Sequence, residues 1–259
     1  MSTDAPAQGA RAPQVVLFDL DATLFDHPGA FRRGILAHVA ALGAPYDTAS
    51  AADIVAAWQQ AEDLHFERYL AGELDYEGQR RARVRDFAAR FSAAELGDDA
   101  ASTWFSGYYD AYRDEWTAYD DVPGALDALE AAIPGIRFGI VTNGELALQQ
   151  GKVATIGLDA RVDQVIASGE LGIAKPDPRI FLHAAERFGV APGEVVYVGD
   201  RVRVDALGAA AAGLIGVWID RDERGWGEFE TDAAAAGIHR IVSLAELPEL
   251  LAAVRTSAR

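Results

Sequence analysis

The chain has no cysteine, which excludes disulfides, thiolate catalysis and any cysteine-ligated metal. It is also poor in positive charge: 23 basic residues stand against 40 acidic ones, a formal charge of −17. Partners that demand a cationic surface, such as a nucleic-acid polymer or an anionic membrane, are therefore disfavoured. A small anionic substrate is not, because a bound divalent metal and a few local cations can reverse the field inside one pocket. No stretch is apolar and long enough to cross a bilayer. The opening Met1–Pro13, rich in Ala, Pro, Gly and Gln, lacks the charged-then-apolar order of a signal peptide and is read as a mobile tail. A cytoplasmic protein is expected.

What remains is ample for a core. Of 259 residues, 50% are hydrophobic and 24% charged, enough for one large α/β domain with a smaller insert. Short apolar runs ending in polar residues predict buried strands of a parallel sheet: Val15–Phe18, Phe138–Val141, Val195–Val198 and Leu214–Ile219, with a less apolar one at Gln164–Ala167. Helical patterns lie between them at Ala125–Ala132, Glu145–Ile156, Arg179–Phe188 and Asp205–Ala212. This alternation predicts a Rossmann-like parallel sheet with right-handed crossovers over residues 14–27 and 119–259.

The interval 28–118 breaks the rhythm. It offers no strand and several helices, among them Ala51–Leu70 and Gly78–Phe91, where Val84, Phe87, Ala88 and Phe91 share a stripe. An inserted α-helical cap domain is expected there.

Ligands of open α/β sheets bind beyond the carboxyl ends of the strands. Those ends carry Asp19-Leu20-Asp21-Ala22-Thr23, Thr142-Asn143-Gly144, Lys175 and Gly199-Asp200, with Asp205 five residues later. Magnesium takes hard oxygen ligands, so Asp19 and Asp200 on adjacent strands suit it. A carboxylate can also attack phosphorus, and a second one two residues on can protonate the leaving oxygen and later deprotonate water. Thr142 can donate to a phosphoryl oxygen, and Lys175 can offset charge on the nucleophile and the transferred group.

Asp19-Leu20-Asp21-Ala22-Thr23-Leu24 closely resembles the first motif of the haloacid dehalogenase (HAD) superfamily. Thr142, Lys175 and Gly199-Asp200 with Asp205 match the second, third and fourth motifs in order, from Val15 to about Gly213. The resemblance implies a magnesium-dependent phosphohydrolase with Asp19 as nucleophile and Asp21 as general acid/base. Asp19, the backbone carbonyl of Asp21 and Asp200 would bind Mg2+. Asp205 would join the metal site through the metal's waters or through Lys175. Thr142, Asn143 and Lys175 would hold the phosphoryl group. Two positions depart from the usual pattern: Ala22 replaces a common glycine, and Arg201 stands where a small hydroxyl residue is frequent. Val141–Gly144, Leu148-Gln149-Gln150 and Gly172–Pro176 resemble the branch holding nucleotidases and related small-molecule phosphatases. The implied substrate is a small phosphomonoester, a nucleotide or a sugar phosphate, handled by a monomer or homodimer.

Simpler roles exist for each residue taken singly. An Asp at a strand end is ordinarily a cap or turn residue, Thr142 could cap the following helix, and Asp205 could be a plain N-cap. Arg80, Arg81, Arg83 and Arg85 read as a solvated helix face before they read as a second phosphate site. The five histidines show no ligand spacing, although His27 could line the entrance. Cap aromatics near Trp58, Phe66, Tyr69 and Trp104 could set specificity, but such residues more often fill a cap core. Asp21 argues against a 2-haloacid dehalogenase, which needs no acid for a halide leaving group. The absence of lysine from 28–118 argues against an imine-forming phosphonate hydrolase. A phosphomutase keeps every core motif and stays open. A receiver domain places its acidic pair on a different strand from the phosphorylated aspartate, and a catalytically silent binding module would have lost one of these residues.

Overall fold

Strand β1 (Val15–Phe18) has no polar side chain and is wholly buried, as expected for a strand covered on both faces. In the computed structural model, which describes residues 12–91 and 95–257, β1 is central in a six-stranded sheet. The tail expected for Met1–Pro13 lies, through residue 11, outside the described residues.

After β1 come four helices: α1 (His27–Leu42), α2 (Ala51–Leu70), α3 (Tyr76–Arg90) and α4 (Asp98–Asp114). The alternating pattern then runs α5 (Asp121–Ala132), β2 (Arg137–Thr142), α6 (Leu146–Thr155), β3 (Gln164–Ala167), the single turn α7 (Ser168–Leu171) and α8 (Pro178–Phe188). It continues with β4 (Val195–Gly199), α9 (Leu207–Ala211), β5 (Ile215–Ile219), α10 (Glu230–Ala235), β6 (His239–Ile241) and α11 (Leu247–Ser257). The sheet order is β3-β2-β1-β4-β5-β6, parallel throughout, with Val15 level with Arg137 on one side and Val195 on the other. The fold is therefore α/β and Rossmann-like. The chain leaves β1 toward β2 and β3, then returns to β4, so the strand order switches around the end of β1, where such sheets open a crevice.

Five strands form where the apolar runs predict them. The short edge strand β6 was not foreseen, because its sequence, His-Arg-Ile, carries no apolar run. On one face, Val15, Leu17, Val141, Val195 and Tyr197 pack against Ile180, Phe181, Ala184 and Phe188 of α8. That helix starts where Asp177 caps Arg179 N–H and Pro178 enters the first turn, and it ends at left-handed Gly189.

The described residues fall into two compact units, one within residues 12–26 and 117–257, the other within 27–116. The second is all helical. Ser50 caps α2 by accepting from Asp53 N–H, and Asp75 caps α3 by accepting from Gly78 N–H. Helices α1 and α4 approach so closely that a Cβ on Gly34 would stand 2.6 Å from Tyr112 Cα. Trp58 is fully buried against Phe87, Trp104 and Tyr108, so it is core; Phe66 is exposed. Trp104 packs edge-on against the buried His38 ring.

Candidate active site

The site begins where β1 stops. Asp19 N–H donates to Val198 O at 2.8 Å, one residue past the strand, and this fixes the side chain beside β4. Asp19 Oδ1 accepts from Lys175 Nζ at 2.6 Å. The same ammonium donates to Asp205 Oδ1 at 2.7 Å and to the Tyr197 hydroxyl at 2.7 Å. All three protons of Lys175 are thereby used on protein atoms. Its charge thus lies directly against the Asp19 carboxylate.

Tyr197 donates to Val141 O at 2.9 Å, tying β4 to β2 beneath the lysine. Asp205 uses its second oxygen to accept from Arg201 N–H at 2.9 Å. Arg201, the departure from the usual pattern, therefore serves through its backbone, and its side chain is exposed. Beyond Arg201 the chain makes a wide helical turn over Val202–Ala206 before α9, so Asp205 sits inside the turn rather than at a plain helix start. Asp200 is held by Trp218 Nε1, which donates to its carbonyl at 2.9 Å.

Asn143 joins two of the loops that form the site. Its side chain accepts from Lys175 N–H at 2.9 Å and donates to Lys175 O at 3.0 Å, clamping the loop that carries the lysine. This uses the amide oxygen and one of the two amide protons on the Lys175 backbone. Gly144 N–H donates to Ser168 Oγ at 3.1 Å. Thr142, buried at the end of β2, accepts at Oγ1 from Gln149 Nε2 at 2.7 Å, which leaves its own hydroxyl proton to donate.

Asp21 lies in a tight loop in which Leu24 and Phe25 N–H both return to Leu20 O, and Ala22 adopts a left-handed φ of 62°. The Ala22 position thus calls for the conformation that its usual glycine supplies without strain. Two α6 side chains meet the Asp21 carboxylate: Gln149 Nε2 at 3.2 Å and Lys152 Nζ at 2.5 Å. Sequence reading missed Lys152 and Tyr197. Tyr197 was signalled by a lone hydroxyl in an apolar strand, and Lys152 by a cation on the same helix face as Gln149 and beside the buried Val153.

Electrostatics set these groups apart. Burial, with Asp205 and Asp200 adding repulsion, outweighs Lys175 and raises Asp19 to about 7. Burial and then Asp205 likewise raise Asp200 to about 7. Burial works against the Lys175 charge, but Asp19 and Asp205 prevail and hold it above its usual range. Asp19, Asp200 and Asp205 each offer an oxygen within 4.8 Å of the others, the one such acidic group among the described residues. Four carboxylates (Asp19, Asp21, Asp200, Asp205) face two ammonium groups, a deficit of two positive charges that one divalent cation would fill. An all-oxygen donor set suits Mg2+. Both Asp205 oxygens already accept a hydrogen bond, from Lys175 and from Arg201 N–H.

The arginines of α3 are occupied elsewhere. Arg80 lies 4.0 Å over the Tyr76 ring and pairs with Glu77, Arg83 is buried 4.6 Å over Trp58 near Glu62, and Arg85 pairs with Asp98. Arg81 stands 3.9 Å from Asp98. His27 shares a hydrogen bond with the Tyr112 hydroxyl at 2.9 Å.

A family model described as haloacid dehalogenase-like hydrolase matches residues 13–213. A phosphoserine phosphatase of Thermus thermophilus is 45% identical over 37% of this chain and 38% of its own length, so the chain spans well under half of that relative. A ribulose-1,5-bisphosphate 5-phosphatase of Halopiger xanaduensis is 30% identical over 91% of this chain and 98% of its own. The crystal structure of a dehalogenase with an intermediate complex superposes with a TM-score of 0.68 at 27% identity, covering 93% of this chain and 98% of that one. No helix among the described residues is long and apolar enough to cross a membrane.

Proposed function

Because the chain belongs to the haloacid dehalogenase-like hydrolases, we propose that it hydrolyses a small phosphomonoester, a nucleotide or sugar phosphate, through a phosphoaspartate on Asp19. The observation that carries this reading is the pairing of two differently held carboxylates. Asp19 is buried with one oxygen fixed by Lys175, and Asp21 is partly exposed and held from α6.

With Oδ1 of Asp19 engaged, Oδ2 is the oxygen free to attack phosphorus. As the new O–P bond forms, the bond from phosphorus to the leaving alkoxide oxygen breaks, and Asp21 gives that oxygen a proton. Water then attacks phosphorus, Asp21 takes its proton, and the O–P bond to Asp19 breaks to release phosphate. The Thr142 hydroxyl is available to donate to a phosphoryl oxygen throughout. Magnesium, held by Asp19, Asp200 and the carbonyl of Asp21, would neutralise phosphoryl charge when bound. Asp205 acts in this scheme by holding Lys175 rather than by direct ligation.

The likeness to a dehalogenase structure gives the competing reading substance. Asp21 argues against it, since a halide leaves without a proton while an alkoxide needs one. Phosphate release from nucleotides, sugar phosphates and a chromogenic ester, with wild type and Asp19→Asn, each with Mg2+ and with chelator, tests the proposal. Release that requires both Mg2+ and Asp19 supports it. Halide release from a 2-haloacid without phosphate release from any ester would overturn it.

A further inference from the structure

The chain contains only two lysines, Lys152 and Lys175, beside 21 arginines. Both lysines stand on the two carboxylates of the proposed reaction: Lys175 on Asp19 at 2.6 Å, Lys152 on Asp21 at 2.5 Å. Elsewhere every basic side chain is an arginine. A lysine is a compact point charge on a flexible stem, whereas a guanidinium is a broad planar fork that prefers to grip both oxygens of a carboxylate. A reacting carboxylate needs one oxygen that a substrate can reach, and a single-point donor grips one oxygen rather than both.

We propose that Lys152 is a positioning residue for Asp21, fixing one oxygen of the general acid so that the other faces the leaving group. This rests on the reading of Asp21 as general acid. The geometry is asymmetric. Lys152 Nζ meets Oδ1 at 2.5 Å, and Gln149 Nε2 meets Oδ2 at 3.2 Å while also donating to Thr142 Oγ1 at 2.7 Å. The firmly held Oδ1 is the acceptor, so Oδ2 is the oxygen that delivers the proton to the leaving alkoxide and later collects one from water. Gln149 then links this oxygen to the threonine that faces the phosphoryl group.

Residues 149 and 152 are three apart and share one face of α6. The Lys152 stem is buried, with its side chain only 8% exposed and its ammonium 5.1 Å from the centre of the Phe25 ring. A cation so enclosed needs a counter-charge, which Asp21 supplies. That requirement alone would give a structural ion pair, and a structural pair would affect all substrates alike. A positioning role predicts something narrower. Protonation of the leaving group matters for an alkyl ester and hardly at all for p-nitrophenyl phosphate, whose aryl oxide departs unaided.

The test compares kcat/KM for an alkyl phosphate turned over by wild type with that for p-nitrophenyl phosphate, in wild type, Lys152→Met, Lys152→Arg and Asp21→Asn. A positioned general acid supplies roughly 10²–10⁴-fold. Lys152→Met is expected to lose about 10–100-fold on the alkyl ester and under about 3-fold on the aryl ester. Lys152→Arg, which restores a donor, should recover part of the alkyl activity. Equal losses on both esters, or none on either, would overturn the proposal provided Asp21→Asn discriminates between them. If Asp21→Asn itself fails to discriminate, the general-acid reading falls, and this inference with it. Should Lys152→Met not fold, Gln149→Met is read on the same two esters. The wild-type fold offers a further measurement, because lysine labelled at Cε gives just two NMR signals. Asp21→Asn should shift one of them, and two unmoved signals would overturn the pairing.

Discussion

A Cβ placed on Gly199 would stand 2.4 Å from Cγ of Asp205, closer than side-chain atoms ever approach. The last residue of β4 must therefore be glycine for Asp205 to fold back beneath Lys175. The pressure comes from a buried carboxylate, not from backbone conformation. Gly199→Ala should push Asp205 off the lysine, destabilise the protein by about 1–3 kcal/mol as an overpacked site does, and lower kcat by at least tenfold. Urea titration beside steady-state kinetics checks both; an alanine variant with wild-type kcat would show that the Asp205–Lys175 contact is dispensable.

Tyr197 supplies a second, separable prediction. Its hydroxyl satisfies the third proton of Lys175 and donates to Val141 O, all in a fully buried setting. Tyr197→Phe keeps the ring against Phe181, 4.9 Å between centroids, but leaves a buried N–H and a buried carbonyl short of partners. The expected cost is about 1–3 kcal/mol in stability. Lys175 retains both carboxylates, so activity should fall less than in Asp205→Asn. The ranking of the two variants is the readout.

The acidic cluster makes a prediction about metal. Asp19 and Asp200 are both pushed up to about 7 by burial and by their neighbours' charge, so ionising them without a cation costs stability. In chelator the protein should lose stability as pH rises from about 4 through about 7, the range between the ordinary carboxylate value and the raised one. Mg2+ at pH 7.5 should restore it, raising Tm by several degrees, since a ligand at 100 times its Kd contributes about 2.7 kcal/mol. Asp200→Asn should raise Tm in chelator and abolish the Mg2+ response. A metal effect that survives this substitution would place the ion elsewhere.

Particular residues explain how much could be read in advance. Apolar runs such as Val15–Phe18 and Val195–Val198 have only one use in an α/β chain, so strands, helices and sheet type were legible. Asp19, Thr142, Lys175 and Asp200 were legible because polar residues at the ends of such strands have no packing reason to be there. The division of labour among them was not. Whether Lys175 faces a substrate or spends its protons on Asp19, Asp205 and Tyr197 depends on distances across 22 to 156 residues of sequence. The loop clamp made by Asn143 was hidden for the same reason. Lys152 was hidden because the hydrogen-bonding face of α6 also carries the apolar Val153, and periodicity reports burial rather than the partner met there. Strand β6 escaped because edge strands need little hydrophobicity.

Asp220, which takes no part in the proposed reaction, makes a prediction about acid stability. It follows β5 with no solvent exposure, and it accepts from Arg224 N–H at 3.0 Å, Gly225 N–H at 2.8 Å and Arg240 at 2.8 Å. Burial alone would raise its proton affinity, but the Gly225, Arg240 and Arg224 interactions outweigh it and hold the carboxyl below its usual value. A carboxylate depressed on folding contributes stability that is complete above its unfolded pKa of about 3.9 and disappears as pH falls through the lower folded value. Wild type minus Asp220→Asn, measured by urea unfolding, should therefore be largest at pH 6 and shrink below pH 4. The asparagine still fills the site, but it replaces one acceptor oxygen with a donor and removes the charge facing Arg240. About 2–4 kcal/mol at pH 6 is expected for a buried ionic hydrogen-bond centre. A difference that stays constant from pH 6 to pH 3 would mean that the loop is held by shape rather than by the ionised carboxylate.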